Sequence, residues 1–219
     1  MNTTLDLRDI FNRLLDQFGP LSWWPAETPF EVCVGAILTQ NTAWTNVEKA
    51  ISALKQAGIM TPEALQGSDP EQLARLIRPA GYFNVKSRRL KDFTGWLFLA
   101  HQGSLERMFT GDWHGLRLEL LQVRGIGPET ADSILLYAGN KPTFVVDAYT
   151  RRLFQRLGLL PESVRYDELR MLFMNNLPED APLFNEFHAQ IVQQCKRFCR
   201  SKPLCSGCPL HDSCPSRLA

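Results

Sequence analysis

Residues 120–135 read LLQVRGIGPETADSIL. Apolar Leu120 and Val123 lead into Gly125-Ile126-Gly127, and a new helix opens at Pro128-Glu129, with Thr130-Ala131 and Ile134-Leu135 following a turn apart. Two glycines let a backbone turn tightly and approach another surface closely, and a proline at the first helical position lacks an amide that would find no partner there. The other amides of that helix start face outward, an arrangement able to hold a phosphate. The same residues would equally serve an ordinary αα-hairpin, so they indicate local fold before function.

On either side of this turn the apolar period is helical, and no segment alternates as a half-buried strand does. The fold class is therefore all-α. Leu5, Leu7, Ile10, Phe11, Leu14, Leu15 and Phe18 share one face of a helix that Gly19-Pro20 closes. Thr45 and Glu48 have capping-box spacing ahead of an amphipathic run to Gly58, and Ser68-Asp69-Pro70-Glu71 is another helix start. Residues 90–99 read as a buried helix ending near Gly103. Later helices are expected over residues 116–123, 129–138, 148–157, 166–175 and 183–198, with Pro142-Thr143-Phe144-Val145-Val146 as a short extended connector.

The chain has 219 residues, 44% hydrophobic and 21% charged, which is the profile of a soluble globular protein of one or two domains. No apolar run approaches the roughly 20 residues of a spanning helix, and the start, MNTTLDLRD, is too polar for a signal peptide, so no membrane association and a cytoplasmic location are expected. Twenty-four Lys and Arg against 23 Asp and Glu leave a formal charge of +1, so any anion-binding surface must be local. Two stretches qualify. Arg75, Arg78, Lys86, Arg88, Arg89 and Lys91 occur without an intervening acid, and Lys196, Arg197, Arg200, Lys202 and Arg217 surround the lone Asp212.

Four of the six cysteines fall in Cys199-x5-Cys205-x2-Cys208-x5-Cys214. Clustered thiols in an intracellular chain point to metal rather than disulfides, and four suffice for an iron–sulfur cubane or one tetrahedral zinc. A loop pinned in this way would offer Arg200 and Lys202 to phosphates at fixed positions. Cys33 and Cys195 read as helix residues outside the ligand spacing. His101, His114, His188 and His211 form no recognisable constellation and receive no role.

Eighteen residues after Glu129 stands Asp147, in FVVDAYTRRLFQRLG. Together the hairpin, this aspartate and the cysteine run resemble the helix-hairpin-helix DNA glycosylases of the endonuclease III superfamily, over most of the chain from Pro29 to Cys214. The resemblance implies two helical domains with a lesion cleft between them: a six-helix domain near residues 22–140, holding the hairpin at about 113–139, and a cluster domain built from residues 1–21 and 141–219. It implies a [4Fe-4S] cluster on Cys199, Cys205, Cys208 and Cys214, although the first interval is five where the family commonly has six; zinc is the alternative. The hairpin would grip the backbone of double-stranded DNA through Arg124, Gly125, Gly127 and Thr130.

The remaining roles also come from the resemblance. Breaking an N-glycosidic bond develops positive charge on the sugar, and a carboxylate can stabilise that charge and orient water. Asp147 takes this role, and it also occupies the N-cap position of the next helix. Members that form a Schiff base and nick the strand carry a lysine two residues after the second hairpin glycine; Glu129 stands there and cannot form an imine. Lys141 does not match the motif position. Gln40, with Asn41 beside it, would enter the gap left by a flipped nucleotide, and Tyr82 in GYFNVK would intercalate opposite the lesion. Trp23-Trp24-Pro25 resembles the aromatic wall of the 3-methyladenine glycosylases, suited to a cationic alkylated purine. The implied activity is a monofunctional DNA glycosylase for alkylated purines, acting as a monomer. A glycosylase for oxidised pyrimidines or mismatched bases, and a non-catalytic helix-hairpin-helix DNA-binding protein, are the alternatives.

Overall fold

Side-chain caps start most of the long helices, and they explain where the chain changes direction. The computed structural model describes residues 6–21, 24–161 and 163–218, and all their regular structure is helical, in agreement with the sequence. Asp6, Thr28, Asp112, Asp147 and Asp180 each accept a backbone amide at the start of α1 (Leu7–Phe18), α2 (Pro29–Leu38), α8 (Trp113–Gln122), α10 (Ala148–Arg156) and α12 (Ala181–Arg197). Satisfying an otherwise unbonded amide contributes about 1 kcal/mol per cap. Between them lie α3 (Trp44–Gln56), α4 (Pro62–Gly67), α5 (Pro70–Leu76), α6 (Phe83–His101), α7 (Leu105–Met108), α9 (Pro128–Ser133) and α11 (Tyr166–Asn176).

Three expectations change in detail. The capping box at Thr45 and Glu48 is absent: α3 begins at Trp44 behind Ala43, which has no side-chain cap, and the Glu48 carboxylate instead accepts from Trp44 Nε1 at 2.9 Å. The helix over residues 90–99 is longer, starting at Phe83. The second hairpin helix widens after Ser133 into a single π-helical turn, Ile134–Ala138.

The chain divides into two compact units, Trp24–Lys141 and a second made of Met1–Trp23 with Pro142–Ala219. In the first, α2 is buried along its length because nearly every residue is apolar or small; α3, α6 and α9 pack against it, and α5 and α8 add Leu73 and Leu120 to a core that also holds Leu38, Leu54, Phe93 and Ile134. In the second, the extended connector places Phe144, Val145 and Val146 inside, where Phe144 stacks on Phe173 at 3.7 Å and meets Phe184 and Phe187 edge-on. The amino-terminal α1 belongs to this unit through Phe11 against Phe187, and Glu186 on α12 accepts from Leu21 N. No helix among the described residues is long and apolar enough to cross a membrane.

Candidate active site

The hairpin turn is built on Gly125, whose φ of +86° strains any residue with a Cβ. Space forbids a side chain there as well, since a Cβ would come within 2.7 Å of Arg89 Cδ. Gly127, by contrast, sits at the N-cap of α9 with open space around it, as an approaching phosphate requires. Arg124 is exposed beside it. Arg117 on α8 grips the fully buried Asp132 on α9 through two parallel hydrogen bonds of 2.8 and 3.0 Å, so the two arms of the hairpin are locked together by a charge pair.

Gln40, at the end of α2, faces this turn. Its amide nitrogen donates to Gly125 O at 3.0 Å and Thr130 Oγ1 at 2.9 Å, while its oxygen accepts from Arg89. Asn41 follows in the left-handed region, exposed. The loop returning from Gln40 is pinned by Lys86, whose ammonium donates to Leu38 O, Thr42 Oγ1 and Ala80 O at 2.6–2.8 Å. Burial, with Arg89 nearby, lowers that amine to about 8. Ala80 O lies just before Gly81-Tyr82, so one buried cation ties together the loops that carry Asn41 and Tyr82. Tyr82 itself takes φ +46° and leaves 72% of its surface in water.

Trp24 forms the other feature of this unit. Its indole stacks on Tyr137 at 4.9 Å, meets Trp44 edge-on at 5.2 Å and lies against the bare backbone of Gly35, where a Cβ would be 3.3 Å from the ring. Its Nε1 is buried and bonds to no protein atom, which leaves a donor for something else. Pro25 is exposed.

In the second unit Asp147 caps α10, its Oδ1 accepting from Thr150 N at 2.7 Å and Thr150 Oγ1 at 3.0 Å. Its Oδ2 lies 3.6 Å from His188 Nε2 on α12. Burial pushes this carboxyl up, but the His188 imidazole and the two Thr150 donors outweigh it and hold the group below the ordinary carboxylate range. Asp147 is therefore an ionised carboxylate in a mostly dry setting.

The four clustered cysteines line one cavity with Leu153, Arg156 and Gln194. Donors approach three of the sulfurs: Arg156 at 3.3 Å from Cys199, Gln194 at 3.0 Å from Cys208 and Leu218 N at 3.3 Å from Cys205. Among the described residues no three potential ligands gather tightly enough for one metal ion. α10 also holds the backbone of this loop, with Arg152 bonded to Cys199 O at 2.8 Å and Arg156 to Arg200 O and Ser201 O at 2.6 and 3.1 Å.

Compared with known families, residues 34–179 match the HhH-GPD superfamily of base excision DNA repair proteins. The chain belongs to that superfamily. It is 49% identical over 210 residues, 95% of each chain, to a Methanocaldococcus jannaschii protein whose name proposes a DNA repair glycosylase. It is similar to the crystal structure of an H. pylori 3-methyladenine DNA glycosylase bound to 1,N6-ethenoadenine, with a TM-score of 0.76 and 33% identity over 86% of this chain and 96% of that one. A trapped endonuclease III–DNA covalent intermediate shares the fold, with a TM-score of 0.83 at 22% identity over 97% of both chains. This HhH-GPD protein is a DNA glycosylase of base excision repair.

Within the HhH-GPD frame the expected residues take distinct places. Glu129 is exposed in the first turn of α9, and Arg200 and Lys202 are exposed on the cysteine loop. Thr130, expected at the DNA backbone, is instead buried with its hydroxyl turned to Gln40. Gln40 would have to release its three partners to enter a duplex. Lys86 is buried and Lys91 donates to Leu65 O and Gln66 O at the end of α4, so neither adds to the basic surface that the charge run suggested. Trp23 lies outside the described residues. His188, given no role from the sequence, is brought against Asp147 by the fold; forty-one positions away, it carries no spacing signal.

Proposed function

We propose that the protein hydrolyses the N-glycosidic bond of flipped-out alkylated purines, 3-methyladenine foremost, in double-stranded DNA, as a monofunctional, monomeric enzyme of the cytoplasm. The observation that carries this reading is the aromatic wall of Trp24 on Tyr137, with the unpartnered Trp24 Nε1 at its edge. A positively charged purine binds such faces by stacking and cation–π attraction, worth about 0.5–2 kcal/mol. The likeness to the H. pylori 3-methyladenine enzyme supports the same substrate class. A cationic base is already a good leaving group, so one ionised carboxylate, Asp147, is enough to stabilise the developing sugar cation and take a proton from water. Glu129 at the hairpin cannot form an imine, which supports release of the base without strand cleavage.

The cysteine cavity fits a thiolate-bound group: it holds four sulfurs and no carboxylate, with N–H donors directed at three sulfurs, as ligating thiolates favour. We assign it a [4Fe-4S] cluster on Cys199, Cys205, Cys208 and Cys214, because four sulfurs ringing a cavity suit a cubane better than one tetrahedral ion. When bound, the cluster supplies a cross-link rather than base-release chemistry.

The decisive experiment incubates the protein with duplexes carrying single alkylated, oxidised or mismatched bases and reads strand breaks with and without alkali. Alkali-dependent breaks at alkylated purines alone are expected. Breaks without alkali would overturn the monofunctional reading, and breaks at oxidised or mismatched bases the substrate. Asp147→Asn should fold and lose at least about 100-fold in excision rate.

A further inference from the structure

The two oxygens of Asp147 are used differently. Oδ1 is consumed by α10, accepting both the amide and the hydroxyl of Thr150. Oδ2 takes no part in that cap and faces His188 Nε2 at 3.6 Å, beyond a direct hydrogen bond but within reach of an ion pair. His188 is nearly closed to water, with 6% of its side chain exposed, and Asp147 keeps a narrow opening of 16%. Solvent screens a contact so placed only weakly, and its geometry is set by α12 rather than by the helix that Asp147 caps.

We propose that His188 is a positioning residue for base excision, its imidazole fixing where Oδ2 of Asp147 points for the hydrolytic step. The proposal rests on Asp147 being the catalytic carboxylate. In that step water adds to C1′, the bond from C1′ to the base nitrogen breaks with its electron pair leaving on the base, and the water proton passes to Oδ2. Only Oδ2 is available for the transfer, because Oδ1 already accepts two hydrogen bonds. Other ionisable groups surround the pair. The Cys195 thiol on α12 donates to Tyr149 O at 3.4 Å, and the Tyr166 phenol on α11 accepts from Val146 N at 3.4 Å. Thr150 holds Oδ1, and of the groups named here His188 is the one that faces Oδ2.

The test measures single-turnover excision against pH on the alkylated duplex that the wild-type protein opens fastest. His188→Ala, His188→Gln and Asp147→Asn are compared with wild type, and thermal unfolding and affinity for an uncleavable abasic-analogue duplex are measured in parallel. Without the imidazole the carboxyl holds its proton to higher pH, so the acid limb should move upward in both His188 variants. His188→Ala should lose about tenfold or more at neutral pH with duplex affinity unchanged. His188→Gln, which keeps a donor but cannot take up a proton, should recover part of the rate above the limb. A His188→Ala profile matching wild type in rate and limb, beside an inactive Asp147→Asn, overturns the inference alone. An active Asp147→Asn overturns the catalytic reading and this inference together. Should His188→Ala fail to fold, an unmoved limb in His188→Gln overturns it equally.

Discussion

Tyr82 combines two unfavourable features at one position, a left-handed backbone on a bulky residue and an aromatic ring largely in water. Strain of this kind costs on the order of 1–3 kcal/mol and persists where the surroundings enforce it. Here the enforcement is visible, since Lys86 fixes Ala80 O two residues before it and α6 begins immediately after it. An exposed ring held this firmly suits insertion between bases, where stacking on an aromatic contributes about 1–3 kcal/mol. Tyr82→Ala should therefore leave the melting temperature within a few degrees of wild type while slowing excision from duplex DNA by about 10- to 100-fold, and Tyr82→Phe should retain most of the rate. Excision at the wild-type rate by the alanine variant would exclude the ring as a wedge. The sequence points to this position only through the resemblance of GYFNVK to a family pattern. The fixing cation was not legible, because a lysine in a basic run reads as surface.

At the scale of elements, the helices that carry an apolar face and a capping residue were legible. The four-residue α7 and six-residue α4 were not, being too short for a period of 3.6 to register. The hairpin shows why a legible motif can still hide its main support. Gly125 and Gly127 announce the turn, whereas the pair that locks its arms, Arg117 with Asp132, is ordinary in sequence and becomes significant only through the 0% exposure of the aspartate side chain. Removing one partner of a buried pair leaves the other uncompensated, at a cost of about 3–5 kcal/mol. Asp132→Ala should lower the melting temperature by roughly 6–20 °C, followed by circular dichroism, and Arg117→Met combined with Asp132→Leu should restore much of that loss. If the single variant melts as wild type does, the pair is not what braces the hairpin.

For the whole molecule, the net charge of +1 conceals a division of labour among the cations. Lys86, Lys91, Arg117, Arg152 and Arg156 turn inward onto carbonyls, a hydroxyl, a thiol and a carboxylate, whereas Arg124, Arg200 and Lys202 remain exposed. Sequence cannot separate these groups, because the sorting depends on which carbonyls each helix leaves unbonded. The exposed set is what a phosphate backbone can reach, and two of its members ride on the cysteine loop. Each phosphate neutralised adds about 0.9 to the slope of log affinity against log salt on duplex DNA. Arg200→Ala with Lys202→Ala should thus flatten the slope by about 1.8 and weaken binding without regard to sequence. On the proposed [4Fe-4S] assignment, stripping the metal with a chelator should remove the visible absorbance and flatten the slope by a similar amount, since a cross-link through the four cysteines would add to the hold of Arg152 and Arg156 on the loop that carries those two cations. If the stripped protein keeps the wild-type slope, Arg152 and Arg156 alone suffice to present the loop, and the cluster has no part in gripping DNA.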